Sequence, residues 1–349
     1  MREKEKMDGT PSKSSIVTIG MPTNNSAWSL PQVLESILAF DFDLRRIRLV
    51  FVDNFSKDNT VPILKEFLSK HGQKFGSFVI ETAHANIPEA RNICFERAEG
   101  TDYVFMLDSD IIAPPDSINV LLHDIASYNN TAMASFPWDQ TNARARAKTL
   151  FNAFETTKTQ AYAYKVGNGC NIVTMEAYHA IGGFNPRLNV HEDGEFCYRL
   201  RRHGYNIICD FTREGVHLKH VAAPARFYLK FAWNSSNTYI EMLKLKSGMH
   251  ILKVILSLAL IVSFIFLFVS PDFLSIGLLI VSLSFAFWVN TSRRVLDDGI
   301  KVKPKYFLFV APVLTALTIL VVLMAIYRVA WRSVSSNLGA RQKVKDSIG

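Results

Sequence analysis

The fold is predicted most directly from one stretch, residues 103–110, which reads YVFMLDSD. Its first five residues are apolar or aromatic, which is typical of a buried strand. Asp108 and Asp110 follow at once, and side chains two residues apart leave an extended chain on the same face. Two carboxylates at the carboxyl end of a strand are suitable ligands for Mg²⁺ or Mn²⁺ carrying a diphosphate. A turn rich in Asp and Ser would give the same short pattern, so the surrounding sequence has to decide.

Strands and helices are predicted to alternate around this stretch. The predicted strands are residues 16–19, 47–52, 78–80, 103–107, 131–136 and 170–174, and the predicted helices are residues 30–40, 61–68, 88–98 and 191–203. This alternation predicts an α/β fold with a doubly wound, mostly parallel sheet. Ligands bind at the carboxyl ends of the strands in such sheets. Asn24, Asp53 and Asp108 are all expected at such ends.

The positive charge is unevenly distributed along the chain. The 349 residues have a formal net charge of +8, and residues 226–349 hold 15 of the 39 Lys/Arg but only 5 of the 31 Asp/Glu. A nucleic-acid enzyme would be expected to carry basic charge on its catalytic domain, so we expect no nucleic-acid partner. The basic residues flank apolar stretches instead, which indicates anionic lipids as partners.

Three uncharged apolar stretches lie in the C-terminal third, at residues 254–271, 273–292 and 306–327. Each has about the length that crosses a hydrocarbon core of about 30 Å. The sequence therefore predicts C-terminal transmembrane helices and an integral membrane protein of the cell membrane or an endomembrane. No signal peptide is recognised and the four cysteines have no metal or disulfide spacing, so the catalytic domain is expected to be cytosolic.

The predicted organisation has five parts. They are a disordered N-terminus (1–15), the α/β domain (16–225), an interfacial or closing helix (226–248), a transmembrane region (249–327, with segments at about 249–271, 273–292 and 306–327) and a basic tail (328–349). Basic residues between 293 and 305 agree with the positive-inside rule after two crossings, whereas the basic tail disagrees with it after three. The number of crossings therefore stays open.

The N-terminal 220 or so residues resemble family 2 glycosyltransferases, which have the GT-A fold. The matching segments, in order, are residues 19–24, 50–54 with Ser56 and 58–60, 90–92, 103–110, 167–169, and 192–195 followed by 199–205. The resemblance implies an inverting glycosyltransferase that uses a UDP- or GDP-linked sugar as its donor.

The resemblance also implies roles for individual residues. The base and ribose of the nucleotide would be held by Pro22, Thr23, Asn24 and Asp53. Arg91 would lie against the base or the phosphates, where a fixed cation is useful. Asp108 would meet the ribose side and Asp110 the metal, Mn²⁺ or Mg²⁺, which offsets charge on the departing diphosphate. The implied acceptor-binding residues are Gly167, Asn168 and Gly169.

Glu192 and Asp193 occupy the place where the family keeps its general base. An attacking hydroxyl has to lose its proton, and a carboxylate within hydrogen-bond reach accepts it. We expect Asp193 to be the base and Glu192 to be a neighbour that contacts the acceptor. Carboxylates are also favoured in the first turn of a helix by the helix dipole, and this structural role is compatible with the catalytic one. His217 is implied as a further metal ligand, with His220 less favoured.

The acceptor is predicted from two features. No Gln-x-x-Arg-Trp motif follows Glu192 and Asp193, and processive relatives carry that motif, so a single sugar is expected per encounter. A lipid phosphate hardly needs a base, whereas a sugar hydroxyl does. The carboxylate pair therefore favours a hydroxyl of a lipid-linked saccharide or glycolipid over the alternative, a polyprenyl- or dolichyl-phosphate sugar synthase.

Three other classes of protein are less consistent with the sequence. An inactive, membrane-anchored nucleotide-binding protein would show an interrupted Asp-x-Asp or a missing base, and neither is seen. A nucleotidyltransferase would carry a Gly-rich, basic phosphate loop after its first strand, where this chain has Met21-Pro22-Thr23-Asn24. A transporter would be expected to have charged residues inside its membrane spans.

Overall fold

The structure, a computed structural model, describes part of the 349-residue chain. The described residues are 15–140, 154–155, 160–162, 169–218, 225–248, 250–252, 254–255, 257–259, 262, 276, 278, 282, 301–302, 319 and 322–331. The chain divides into two compact units: Met1–Val221 with Asp297–Ile300, and Ala222–Leu296 with Lys301–Gly349.

The first unit alternates strands and helices. Its elements are β1 (Val17–Thr23), α1 (Leu30–Leu38), β2 (Ile47–Asp53), α2 (Thr60–His71), β3 (Ser77–Thr82), α3 (Ile87–Glu96), β4 (Tyr103–Leu107), β5 (Ile111–Ile112), α4 (Ser117–Ser127), β6 (Thr131–Ser135), β7 (Trp138–Gln140), β8 (Phe154–Glu155), β9 (Gln160–Tyr162), β10 (Cys170–Thr174), α5 (Met175–Ile181), α6 (Glu192–Arg202), β11 (Asn206–Asp210) and β12 (Gly215–His217). Short 3-10 helices lie at Leu44–Arg46 and Gly72–Lys74.

The main sheet has eight strands in the order β3-β2-β1-β4-β10-β6-β11-β9. The pairs β3–β2, β2–β1, β1–β4 and β6–β11 are parallel, whereas β10 runs antiparallel to both β4 and β6. The predicted α/β fold with a mostly parallel sheet is therefore confirmed. Because Thr23 pairs with Asp53, and Asp53 with Thr82, the carboxyl ends of three strands meet at one edge.

Helices cover both faces of this sheet. On β2, Leu49 and Phe51 face the core shared with α1, α2 and α4, while Val50 and Val52 face the core shared with α3, α5 and α6. All seven residues of β1 are buried, as expected of a central strand in a sheet covered on both faces. A fully buried side chain such as Phe51 contributes about 2–3 kcal/mol to stability.

A second, three-stranded sheet has the order β5-β12-β7. β12 runs antiparallel to β5, with His217 opposite Ile111, and parallel to β7. β5 begins directly after Asp110. The small sheet therefore brings a strand from the end of the first unit alongside the Asp-x-Asp segment.

The second unit contains the helix α7 (Ala225–Lys244) and the short strand β13 (Lys301–Val302), and residues 322–331 are also helical. The Arg328 guanidinium carbon lies 3.9 Å from the centroid of the Trp233 ring. The centroid of the Tyr327 ring lies 6.2 Å from that of Trp233 and 6.3 Å from that of Trp331.

The prediction of an integral membrane protein with C-terminal transmembrane helices is contradicted. Among the residues that the structure describes, no helix combines the length and the apolar character that a bilayer crossing requires. A span needs about 20 largely apolar residues in one helix. The 20-residue helix α7 carries four charged residues in its sequence, Arg226, Lys230, Glu241 and Lys244. Most of the three apolar stretches themselves lies outside the described residues.

Candidate active site

A cavity of about 440 Å³ lies at the carboxyl ends of β1, β2 and β4. Its lining residues come mainly from the loops that follow these strands and from the start of α3. They are Pro22, Thr23, Asn24, Asn25, Ser26, Trp28, Ser29, Asn54, Ala85, Asn86, Ile87, Ala90, Asp108, Ser109, Asp110 and Asn189. Five of the predicted site residues are among them, namely Pro22, Thr23, Asn24, Asp108 and Asp110.

Asp53 lies behind this lining and organises the loops that carry it. Its side chain is fully buried. One carboxylate oxygen accepts hydrogen bonds from Thr23 Oγ1 at 3.1 Å and Ser56 Oγ at 2.5 Å, and the other accepts from the Ser56 backbone N–H at 2.9 Å. Asn24 donates to the Asn54 carbonyl at 2.7 Å. The loops after β1 and β2 are thereby held together at the rim of the cavity.

Two serines of the loop after β1 fasten the Asp-x-Asp segment. Ser26 Oγ lies 2.8 Å from Ser109 Oγ, and Ser29 Oγ donates to the Ser109 carbonyl at 2.8 Å. The middle residue of the motif is thus held by hydrogen bonds, while the carboxylates on either side of it reach the cavity. Sequence patterns did not single out these two serines, because they are common turn residues with no motif of their own.

Asp108 and Asp110 have different surroundings. Burial raises the pKa of the Asp108 carboxyl, and the positive charge of Arg91 counteracts part of that rise. Asp110 Oδ2 lies 3.1 Å from Nε2 of His217, and their side chains are 33% and 18% exposed. A carboxylate oxygen and an imidazole nitrogen next to each other at a cavity form a donor set suitable for Mn²⁺. Among the described residues, no group of three or more His, Cys, Asp or Glu side chains could hold a metal ion by itself.

Arg91 is buried and paired with two carboxylates. Its side chain is 4% exposed, its Nη2 donates to Asp108 Oδ1 at 3.2 Å, and its Nη1 donates to Glu192 Oε1. Burial alone would lower the pKa of Arg91, but the two carboxylates outweigh this effect and raise it, so the guanidinium stays charged. The structure therefore brings Asp108, Arg91 and Glu192 together, although 17 and 101 residues of sequence separate Arg91 from its partners.

Asp193 is the second residue of α6, beside Glu192. Its Oδ1 accepts a hydrogen bond from the Gly194 backbone N–H at 2.7 Å. The residue before the helix, His191, has a φ of 60°, a left-handed conformation that is uncommon for a residue other than glycine. The first turn of α6 also contains Glu195, and acidic residues at this position are favoured by the helix dipole.

Of the three predicted acceptor-binding residues, only Gly169 lies within the part of the chain that the structure describes. Gly167 and Asn168 lie outside the described residues, as does His220. The Gly169 carbonyl accepts a hydrogen bond from the Asp108 backbone N–H at 3.0 Å. A Cβ at Gly169 would come within 2.3 Å of Ile111 Cδ1 and 2.9 Å of Asp108 Oδ2. Glycine is therefore needed here for the close approach of two segments of the site.

Trp28 and Asn189 line the cavity but were not predicted. Trp28 is 41% exposed, which is high for so large an apolar side chain. Asn189 belongs to the loop between α5 and α6. Neither residue lies in a recognisable motif, so only the chain fold could identify them.

A mostly parallel sheet with a cavity at its carboxyl edge, lined by an Asp-x-Asp motif, agrees with the GT-A-like fold that the sequence predicts. Residues 18–180 match the family described as "Glycosyl transferase family 2". Residues 18–180, a little under half of the chain, are therefore similar to a family 2 glycosyltransferase domain.

Individual relatives are distant. The "Succinoglycan biosynthesis protein ExoA" of Rhizobium meliloti is 23% identical over 57% of this chain and 62% of ExoA. The "Poly(ribitol-phosphate) beta-N-acetylglucosaminyltransferase TarS" of Staphylococcus aureus is 31% identical over 26% of this chain and 15% of TarS. The chain thus matches less than two thirds of the length of each relative.

Solved structures show the same fold. The mannosyltransferase PcManGT from Pyrobaculum calidifontis, in complex with GDP-Man and Mn²⁺, has a TM-score of 0.59 at 16% identity, covering 89% of this chain and 87% of PcManGT. Residues 1–349 of S. aureus TarS, in complex with UDP-GlcNAc, have a TM-score of 0.51 at 15% identity, covering 90% and 92% of the two chains.

Proposed function

We propose that this chain is a metal-dependent, inverting glycosyltransferase that moves one sugar from a UDP- or GDP-linked donor to an acceptor hydroxyl. One observation supports this proposal above the others. Two carboxylates of an Asp-x-Asp motif line one cavity, one of them lies beside His217, and the other is joined through Arg91 to the acidic start of α6. Groups suited to bind a cation and to accept a proton are thus connected within one site.

The donor is proposed to occupy the cavity of about 440 Å³. Pro22, Thr23 and Asn24 would contact the nucleoside. Asp53 lies behind them, where its buried carboxylate accepts the hydrogen bonds that hold the loop. Two proteins with this fold were solved with GDP-Man and with UDP-GlcNAc, which supports a nucleotide sugar as donor.

A divalent cation, Mn²⁺ or Mg²⁺, is proposed to bind at Asp110 and His217, with Asp108 close by. The distance of 3.1 Å between Asp110 Oδ2 and His217 Nε2 places two suitable ligand atoms together, and donor phosphate oxygens would supply further ligands. A bound cation stabilises negative charge on the departing diphosphate.

Asp193 is proposed as the general base. Its carboxylate would accept the proton of the acceptor hydroxyl as that oxygen attacks the anomeric carbon from the side opposite the departing diphosphate, which inverts the configuration. A protein that only bound a nucleotide would not need a second acidic group at the start of α6 that is connected to the Asp-x-Asp segment through Arg91. This link favours an enzyme over the alternative of an inactive nucleotide-binding protein.

The acceptor is proposed to be a sugar hydroxyl, with Gly167, Asn168 and Gly169 at its binding site. More specifically, we propose that this hydroxyl belongs to a lipid-linked saccharide or glycolipid. The alternative acceptor is a polyprenyl or dolichyl phosphate. ExoA is named for succinoglycan biosynthesis and TarS for poly(ribitol-phosphate) as its acceptor, which supports an acceptor that belongs to a growing polymer.

Donor binding with and without metal tests the proposal. Isothermal titration of the full chain with UDP-GlcNAc and GDP-mannose should give a Kd that is at least about tenfold lower with Mn²⁺ than with chelator. D110N should abolish this difference, whereas D116N, which changes an aspartate outside the cavity lining, should preserve it. Binding that depends on metal equally in D110N and wild type would remove Asp110 as a ligand, and the absence of any nucleotide-sugar binding by wild type would contradict the function.

A further inference from the structure

The Arg91 guanidinium is buried and does not line the described cavity. Its side chain is 4% exposed. A cation that contacts the base or phosphates of a donor would have to face that cavity. The guanidinium is instead enclosed between Asp108 on one side and Glu192 on the other. Its Nε is buried without a hydrogen-bond partner, so all its described hydrogen bonds are to these two carboxylates.

Glu192 is also largely buried, and it is paired with Arg91. Its side chain is 12% exposed, and its Oε1 accepts from Arg91 Nη1. When a buried ion pair loses one partner, the remaining charge is left uncompensated at a cost of about 3–5 kcal/mol. The two side chains therefore constrain each other's positions, and Glu192 is the first residue of α6. The start of this helix is thus tied to α3 and to the Asp-x-Asp segment.

Aromatic packing provides a second link between α3 and α6. The Arg91 guanidinium carbon lies 5.9 Å from the centroid of the Phe184 ring, and Phe184 stacks on Phe196 of α6 with their centroids 4.0 Å apart. Asn92 donates to the Phe184 carbonyl at 2.9 Å and accepts from the Phe184 N–H at 2.8 Å. Charge, stacking and hydrogen bonding therefore connect the same two helices.

The backbone before α6 also needs these contacts. His191 has a φ of 60°, and a residue with a Cβ in a left-handed conformation costs about 1–2 kcal/mol. Such a conformation persists when surrounding contacts determine it. The pairing of Glu192, the next residue, with Arg91 is such a contact, and it sets the direction in which the first turn of α6 leaves the loop.

We propose that Arg91 and Glu192 are positioning residues that fix Asp193 relative to the donor site. Arg91 holds Asp108 with one nitrogen and Glu192 with another, so the carboxylates on the donor side and the first turn of α6 move as one unit. A displacement of about 1 Å in a reacting group can cost about 100-fold in rate. This inference rests on the proposed function, in which Asp193 is the base, and it assigns Glu192 a role that needs no contact with the acceptor.

The test separates positioning from donor binding. E192A should lower kcat for sugar transfer at least about tenfold and leave the donor Kd within about threefold of wild type, because Glu192 does not line the donor cavity. E192Q keeps an oxygen that can accept from Arg91 and should retain most of the rate. Amide hydrogen exchange of residues 191–196 in the full chain should accelerate in E192A and stay near wild type in E192Q.

R199M is the matched control. Arg199 pairs with Glu195 on the same helix, at 2.6 Å and with side chains 14% and 2% exposed, and it donates to the Ile181 and Gly183 carbonyls away from Asp108. R199M should lower the Tm at least as much as E192A does, but it should reduce kcat less than E192A does. A loss of kcat in R199M equal to that in E192A would overturn the proposal, since it would reflect general weakening of α6.

Two further results would also overturn it. A donor Kd that rises in proportion to the loss of kcat in E192A would make Glu192 part of the donor site. Unchanged kcat and exchange in E192A would show that the pair positions nothing. Failure of the proposed function is distinguishable from both, because a wild-type protein without sugar transfer would still reveal, through exchange in E192A, whether Glu192 fixes the first turn of α6.

Discussion

At the scale of single residues, neighbouring carboxylates have different surroundings and therefore different proposed tasks. Asp53 is buried among hydroxyl and amide donors, Asp108 is paired with Arg91, and Asp110 lies beside His217. Glu192 is paired and Asp193 is its neighbour at the start of α6. Residue type alone does not distinguish these roles, because each carboxylate has the same chemistry until its contacts are known.

Asp193→Asn tests the proposed base. The amide cannot accept the proton of an attacking hydroxyl, so kcat should fall by about 10²–10⁴-fold, while donor Kd should stay within about threefold of wild type. Steady-state transfer assays and donor titration measure the two quantities. N189A serves as a control that changes a cavity residue whose side chain cannot act as a base. A kcat of D193N equal to that of wild type would contradict the assignment of Asp193 as the base.

Gly169→Ala tests the close packing around the Asp-x-Asp segment. The added Cβ would meet Ile111 Cδ1 at 2.3 Å and Asp108 Oδ2 at 2.9 Å. The free energy of unfolding should fall by about 1–3 kcal/mol, and donor affinity should fall with it because Asp108 has to move. Gly248→Ala is the matched control, since a Cβ there would meet nothing within 4 Å. Thermal unfolding that is equal for both variants would contradict the packing argument.

At the scale of secondary-structure elements, the site depends on contacts between segments that are distant in sequence. β12 carries His217 to Asp110 by pairing with β5. Arg91 of α3 reaches the first residue of α6. A buried carboxyl pair, Asp124 of α4 and Asp210 of β11, joins two further elements, and both side chains are at most 1% exposed.

The pair of Asp124 and Asp210 predicts how stability depends on pH. Burial raises the pKa of Asp124 from its ordinary value of 3.8 to about 7, and the charge of Asp210 adds to the rise. Well below pH 4 the carboxyl is protonated in both the folded and the unfolded chain. As the pH rises from 4 to 7, only the unfolded chain ionises freely, so the free energy of unfolding should fall.

Urea unfolding at pH 5 and pH 8 measures this effect in wild type and D124N. Because one pKa unit corresponds to about 1.4 kcal/mol, D124N should be more stable than wild type at pH 8 by at least about 1 kcal/mol, with a smaller difference at pH 5. E35Q changes an exposed carboxyl and should leave the wild-type difference between the two pH values unchanged. A wild-type difference that persists in D124N would refute the assignment to this pair.

At the scale of the whole molecule, the described site residues belong to the first compact unit. The sheet, both cores and the cavity are all formed by residues before Val221. A unit with its own core and its own binding site is expected to fold by itself.

Truncation after Val221 tests this expectation. The fragment of residues 1–221 should unfold cooperatively and bind the nucleotide sugar with a Kd within about threefold of the full chain. D110N introduced into the fragment should remove the metal dependence of binding, as in the full chain. A fragment that fails to fold, or that folds without binding donor while the full chain binds it, would show that the site needs residues beyond 221.

Much of the first unit was predictable from sequence because local patterns report local structure. The apolar runs of β1, β2 and β4 and the spacing of Leu30, Val33, Leu34 and Ile37 on α1 correspond to buried positions. Asn86 and Glu89 form a capping box at the start of α3. The prediction of an integral membrane protein was wrong, because no helix in the described part of the chain has the length and composition of a span.

The sequence by itself determined the alternation of strands and helices, the similarity of residues 18–180 to family 2 glycosyltransferases, and the carboxylates at the strand ends. Each of these depends on residues close together in the chain. The tertiary structure decided which distant groups meet. It placed β10 antiparallel between β4 and β6, His217 against Asp110, and Arg91 between Asp108 and Glu192. Such contacts arise from the packing of whole elements around a shared core, and spacing along a single sequence carries no record of that packing.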